Sequence, residues 1–480
     1  MEYEAVIGLE VHVQIRTASK MFCACANQYG AAPNASVCPV CLGYPGVLPV
    51  MNREAVRKTI VAGLMCGCSI PSHSKFDRKN YFYPDMPKDY QISQFDLPLC
   101  CGGAVDVGGE GFSGAPLPEK RIGLTRIHLE EDTAKLTHMG ASSAVDFNRA
   151  GVPLMEIVSE PDMRSADEAH AYLTAIKQIM QYAGVSDCDM EKGQMRCDVN
   201  ISVRPVGQTE LGEKIEIKNL NSTRAIHRAI GYEIGRQIDA VEDGEPLRQE
   251  TRRWDDEAGF TSVMRTKEDA HDYRYFPEPD LMPVNVGEEW LTEIRADLPE
   301  SPQQRRERFV TDYGITEYDA QVLTDDKPLA DYYEEAATGS ANAKSVANWI
   351  MTELLRGLSD RELAIAESPV PAAHMAQLIG LIEDNTISGK IAKAVFAEML
   401  ESGKEPKAIV KEKGLVQVTD TAAIDGFVEQ AISDNPSVVE DYRGGKKQAL
   451  QFLVGQVMKF SRGKANPQLA IQALKQRLDG

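Results

Sequence analysis

The stretch GLEVHVQIR sets Glu10 and His12 two residues apart in a run whose apolar members alternate with polar ones. Strict alternation is the pattern of a half-buried strand, and a spacing of two puts both side chains on one face, one pleat apart. A carboxylate beside an imidazole on a rigid strand suits a divalent cation or general acid-base chemistry. A second stretch, RIHLEED, carries Arg126, His128 and Glu130 on one face and Ile127, Leu129 and Glu131 on the other. Glu131 therefore continues an apolar face, where a carboxylate is costly unless it is paired or binds an ion. In GVPLMEIVSEPD, Glu156 stands inside a run that reads as a buried strand. One magnesium ion gathering Glu10, His12, Glu131 and Glu156 would account for all of these positions, since an oxygen-rich set with one imidazole suits a hard cation. Unrelated salt bridges would account for them as well.

The cysteines follow other rules. Cys23 and Cys25, then Cys38 and Cys41 after twelve intervening residues, offer four thiols in two close pairs. Such pairs on turns build closed, tetrahedral zinc sites whose role is structural; reduced core thiols are the alternative. Cys66, Cys68, Cys100 and Cys101 could form a second group, although adjacent cysteines are poor co-ligands. The nucleobase deaminase pattern of His-x-Glu followed by Pro-Cys-x-x-Cys fails here, because His128 and Glu130 come after the cysteines and Pro39 lies inside its pair.

Between these groups, KFDRKNYFYPDMPKDYQISQFD interleaves cations with aromatics. Lys79, Tyr81, Tyr83 and Lys88 are expected to line a nucleotide pocket, cations meeting phosphate and rings stacking on bases. Further on, RCDVNISVRP and KIEIKNLNSTRAI read as paired strands with Asp198, Asn200 and Lys218 on polar faces. Asn221 or Ser222 then opens a helix whose N-terminus could hold an anion. No glycine-rich phosphate loop ending in lysine occurs, so ATP use cannot be inferred from general motifs.

These residues must be positioned by a chain of 480 residues, 43% hydrophobic and 26% charged, which implies a globular protein of several domains. No apolar run approaches the roughly 20 residues of a membrane span. The start MEYEAVIGLEVHV lacks a signal peptide's basic segment, so a cytoplasmic location with reduced cysteines is expected. Strand signals dominate the first 290 or so residues and vanish after LPESPQQRRERF, giving an α+β chain. The expected division is a β-rich body over 1–295, which the resemblance given below makes a catalytic cradle, with a cysteine-rich insert near 23–41, a helical linker over 296–370, and a helical tail over 371–480. The net charge of −20 opposes nucleic acid binding in general, yet residues 441–480 carry eight Lys and Arg against two Asp. In the tail, Leu450, Leu453, Val454, Val457 and Met458 share a helical face, Gly463 can close that helix, and Asn466 and Pro467 start another. Lys446, Lys447, Lys459, Arg462 and Lys464 cluster around these helices as a basic corner fit for phosphates.

The strings IGLEVHVQ, YPGVLPV, SKFDRKNYFYPDMPKDYQISQFD, RIHLEEDTAKLTH, GVPLMEIVSEPD, DYRYFPEPDL and FLVGQVMK…GKANPQ closely resemble the B-subunit family of bacterial glutamyl/aspartyl-tRNA amidotransferases, from about Tyr3 to the C-terminus. The resemblance implies the kinase and transamidase part of a heterotrimer. With ATP and magnesium, such a protein phosphorylates the side-chain carboxylate of glutamate or aspartate misacylated on tRNA(Gln) or tRNA(Asn). Ammonia released from glutamine by an amidase (A) subunit then displaces the phosphate, and a small C subunit clamps the two larger ones together. The implied metal site falls on His12, Glu131 and Glu156 with Glu10 close by, and Glu130 and Asp132 are alternates; the four cysteines imply zinc. A non-catalytic tRNA-binding assembly subunit and a stand-alone metal-dependent amidohydrolase are the rival readings.

Overall fold

The computed structural model describes residues 2–266, 273–416, 421–461 and 464–479. They form two compact units, residues 1–302 and 303–480. In the first unit the strands that bear on the site are β1 (Tyr3–Gln14), β2 (Asp77–Asn80), β3 (Tyr90–Ser93), β4 (Cys100–Cys101), β5 (Ala104–Glu110), β6 (Pro116–Glu131), β7 (Pro153–Ser159), β8 (Met195–Pro205), β9 (Ile215–Lys218), β10 (Glu250–Asp255), β11 (Phe260–Thr266) and β12 (Phe276–Pro277). Its helices are α1 (Arg53–Met65), α2 (Ala166–Tyr182), α3 (Thr223–Glu242) and α4 (Glu288–Ala296).

The main sheet runs β11-β10-β9-β8-β1-β7-β6-β4, with β5 also paired to β6. All these pairs are antiparallel except β9 with β10. The alternation in β1 sends Leu9, Val11 and Val13 into a core shared with Ile60 of α1, Leu173 of α2 and Ile226 of α3. The opposite face is left polar because helices cover only the apolar one. α3 begins where the sequence expects: the Ser222 hydroxyl, not Asn221, accepts from the Ala225 N–H at 3.0 Å. Strands β2 and β3 form a hairpin that pairs with β12 and lies against β6.

The second unit is helical: α5 (Pro302–Tyr313), α6 (Glu317–Leu323), α7 (Lys327–Thr338), α8 (Ala343–Trp349), α9 (Leu355–Ser359), α10 (Ala372–Glu383), α11 (Gly389–Ser402), α12 (Pro406–Glu412), α13 (Thr421–Asp434), α14 (Pro436–Arg443), α15 (Gln448–Phe460) and α16 (Pro467–Asp479). The helix read over 343–358 contains a π-helical stretch, Ile350–Leu354. α10 packs on α7 and α8, whereas Ile424, Val428, Leu453, Val457, Ala470 and Leu474 close a separate small core. Asn466 caps α16 as expected, its side-chain oxygen accepting from the Gln468 and Leu469 N–H groups. Gly463, read as the stop of α15, lies outside the described residues. Among the described residues no helix is long and apolar enough to cross a membrane.

Candidate functional site

On the polar face, antiparallel register sets His12 of β1 directly opposite Glu156 of β7, and Glu156 opposite His128 of β6. His12 Nε2 lies 3.3 Å from Glu156 Oε2 and 3.9 Å from Glu130 Oε1. His128 Nε2 lies 3.5 Å from Glu156 and 3.6 Å from Glu130. Ligand atoms of His12, Glu130 and Glu156 all fall within 4.8 Å of one another, which fits a divalent cation held by two oxygens and one imidazole. Burial alone would lift the Glu156 carboxyl, but the nearby His128 and the His12 hydrogen bond outweigh it and hold the group below the ordinary carboxylate range. Burial works against a charged His12, yet the hydrogen bond and charge of Glu156, with Glu130 and Asp198, raise its pKa.

The structure brings together only part of the four-residue set expected from the sequence. His12 and Glu156 come together, but Glu131 does not join them: alternation along β6 turns it to the opposite face from Glu130. There Glu131, 2% exposed, accepts from Lys88 Nζ at 2.6 Å and from the Ile92 N–H at 3.1 Å. A carboxylate on an apolar face did need a partner, and the partner is an ammonium group. Glu130 takes the place at the cluster and accepts from the Ser93 hydroxyl at 3.0 Å. Glu10 also departs from the set. It stands one pleat from His12, opposite Asp198, and its ligand atom groups with those of Asp198 and Glu216. Asn200 donates to Glu10 at 2.9 Å, and Lys218 reaches both Glu216 and Asp198.

The hairpin residues expected to line one pocket have different neighbours. Lys79 sits with its ammonium 4.9 Å from the Tyr273 ring centre; burial opposes its charge, but Glu130, Tyr275 and Glu156 outweigh it and raise its pKa. Burial, with Asp85 and Glu130 nearby, pushes the Tyr81 phenol up. Tyr83 is exposed. Lys88 faces Glu131, and Asp198, Asn200 and Lys218 belong to the Glu10 group.

Sulfurs of Cys23, Cys25, Cys38 and Cys41 lie within 4.8 Å of one another. Lys20, fully buried, reaches only Cys41 Sγ at 3.6 Å and the Phe147 carbonyl at 3.2 Å among the described residues. A buried ammonium needs an anion, so this pairing favours a thiolate at Cys41, the form in which a cysteine sulfur binds a metal. By contrast Cys66, Cys68 and Cys100 belong to the apolar core, and burial raises each thiol, Cys68 to about 12. In the tail, Lys447 precedes α15, Lys459 lies in its last turn, and Lys446 pairs with Asp441 at 2.9 Å; Arg462 lies outside the described residues, two positions before Lys464.

Sequence reasoning missed His128, Lys20 and Arg196. His128 shared a strand face with Glu130, which was a usable signal. Arg196, opposite His12 in register, and Lys20 gave none, because their meaning lies in pairing across distant strands and turns.

A family model described as "GatB/GatE catalytic domain" matches residues 5–292, and one described as "GatB domain" matches 331–478. The chain is 55% identical over 482 residues to a protein of Carboxydothermus hydrogenoformans named as the B subunit of aspartyl/glutamyl-tRNA(Asn/Gln) amidotransferase, covering 99% of each. Proteins of the same name from Caldanaerobacter subterraneus subsp. tengcongensis, 55% identical over 479 residues, and Moorella thermoacetica, 53% identical over 482, are matched over the full length of both chains.

Proposed function

The chain belongs to the GatB/GatE family, and from that premise we propose that it converts Glu-tRNA(Gln), Asp-tRNA(Asn) or both to the amidated forms in an ATP-dependent reaction. The observation that carries this reading is the His12–Glu130–Glu156 group on the polar face with the Lys79 ammonium beside it. A carboxylate resists ammonia until phosphorylation turns one of its oxygens into a leaving group. Phosphoryl transfer is catalysed chiefly by positioning and by offsetting charge. Magnesium, held by His12, Glu130 and Glu156, would supply charge neutralisation at the phosphates. Lys79 makes no ion pair among the described residues, so its charge is available to a phosphate. His128 holds both carboxylates in place, and Ser93 fixes Glu130.

The partners in this reading are an amidase (A) subunit that supplies ammonia and a small C subunit, in the cytoplasm. Zinc in the four-cysteine group serves structure. Glu10, with Asp198, Asn200, Glu216 and Lys218, flanks the centre as a second acidic group. The cradle occupies 1–295, and tRNA is held by a tail bearing Lys446, Lys447, Lys459, Arg462 and Lys464. Because α10 packs on α7 and α8, the tail proper is better begun near residue 421 than at 371.

The test is ammonia-dependent and ATP-dependent amidation of misacylated tRNA by the complex with its glutaminase partner. His12→Ala should abolish phosphorylation of the charged tRNA. Phosphorylation that survives this change would refute the metal-centred reading.

A further inference from the structure

A substrate carboxylate approaching the polar face meets Glu10, Glu130, Glu156, Asp198 and Glu216, and needs a cation to remain there. Among the described residues the side-chain cations bordering this face include Arg126, Lys79, Lys218 and Arg196. Arg126 is turned to His128, its Nε 3.3 Å from Nδ1. Lys218 is engaged by Asp198 and Glu216. Lys79, a point charge beside the cluster, suits a phosphate. Arg196 differs from all of these.

Arg196 stands on β8 opposite His12, so it flanks the cluster on the β8 side. Its Nη2 donates to Asp132 Oδ1 at 2.9 Å. Asp132 is itself buried and fixed by Gln14 Nε2 at 2.7 Å, the Thr133 N–H at 2.8 Å and Arg149 Nε at 3.8 Å. The guanidinium is thus anchored through one nitrogen. Among the described residues its other N–H groups have no hydrogen-bond partner, while 36% of the side chain stays open to solvent. An anchored, partly open guanidinium is a preorganised fork for a planar anion, and a carboxylate accepts two parallel N–H bonds from it.

We propose that Arg196 receives the side-chain carboxylate of the aminoacyl group, setting it beside the His12–Glu130–Glu156 cluster for phosphorylation. The inference rests on the reaction proposed above and names its substrate-recognising residue. It also gives a means of releasing product. The amide formed is neutral, and its NH2 group would meet the arginine donors with a donor of its own, so the fork that holds substrate rejects product.

The test uses the whole complex with wild-type, Arg196→Lys, Arg196→Gln and the Asp132→Asn/Arg196→Gln double variant, in which no buried carboxylate is stranded. The expected result is a KM for misacylated tRNA raised about tenfold or more in all three variants. KM for ATP and the magnesium affinity measured by calorimetry should stay within about twofold. Equilibrium binding should lose its preference for misacylated over amidated tRNA. An unchanged KM for misacylated tRNA in active variants overturns the proposal, as does a rise in the ATP KM instead, which would assign Arg196 to phosphate. Recovery of the wild-type KM in the double variant also overturns it, because Arg196 would then serve only to neutralise Asp132. If the wild-type complex itself fails to phosphorylate the charged tRNA, the reaction reading falls and this proposal with it.

Discussion

Two adjacent glutamates, Glu130 and Glu131, have different work because a strand sends neighbours to opposite faces. Glu130→Gln removes an oxygen ligand from the proposed magnesium site, and the phosphorylation rate should fall on the order of 100-fold with the thermal midpoint nearly unchanged. Glu131→Gln should do the reverse. It leaves Lys88 buried without its charge partner, and breaking a buried pair in this way costs about 3 kcal/mol. A lowered unfolding midpoint with a near-normal rate per folded molecule is the expected result. Comparing both variants by calorimetry and single-turnover kinetics checks the assignment, and a rate collapse confined to Glu131→Gln would reverse it.

At the scale of elements, the turn carrying Cys38 and Cys41 packs directly on the hairpin of β2 and β3. A Cβ added at Gly43 would lie 2.6 Å from Lys88 Cγ and 3.1 Å from the Pro87 carbonyl, on a residue whose φ is +67°. A Cβ added at Gly151, at φ +82°, would stand at ordinary contact distance from Cys41, Lys20 and Glu131. Gly43→Ala should therefore destabilise the protein by about 1–3 kcal/mol through overpacking and speed hydrogen exchange in β2 and β3, while metal content stays the same. The clasp itself predicts about one zinc per chain, removed when Cys38 and Cys41 are both replaced by serine. Elemental analysis of the purified variants decides this.

At the scale of the molecule, charge is unevenly distributed. The basic end of an otherwise acidic chain should hold tRNA through phosphates. Replacing Lys447, Lys459 and Lys464 by glutamate should weaken tRNA binding regardless of sequence, and the salt slope should fall by about one unit for each phosphate no longer bound. Filter binding over a range of salt measures it. In the helical unit, Arg305 joins α5 to Asp331 and Glu334 of α7 at 2.6 Å each. Burial opposes the charge of Asp331, but hydrogen bonds from Lys327 and Arg305 outweigh it; hydrogen bonding from Arg308 leads the lowering at Glu334. Carboxyls depressed in the folded state contribute stability above their unfolded pKa, near 4, and lose it as pH falls through the folded value. Amide exchange in α5 and α7 should accordingly be slower at pH 6 than at pH 3, once corrected for intrinsic rates, and Glu334→Gln should narrow the difference.

Much was legible before any coordinates. Period-two alternation placed Glu10 and His12 on one strand face, the spacing of four cysteines announced a clasp, and Asn466-Pro467 marked the start of α16. These are local signals, set by backbone geometry over a few residues. Which acid joins which imidazole was not local. It depended on the register that sets His12 against Glu156 and Arg196, and on a hairpin that brings Lys88 to Glu131 and Ser93 to Glu130. The sequence by itself determined that a buried carboxylate in RIHLEED needed a counter-charge. Tertiary structure alone decided that the partner of Glu131 is lysine and that Glu130 stands with His12, because strand pairing and the hairpin join residues far apart in the chain and a one-residue step on a strand reverses the face.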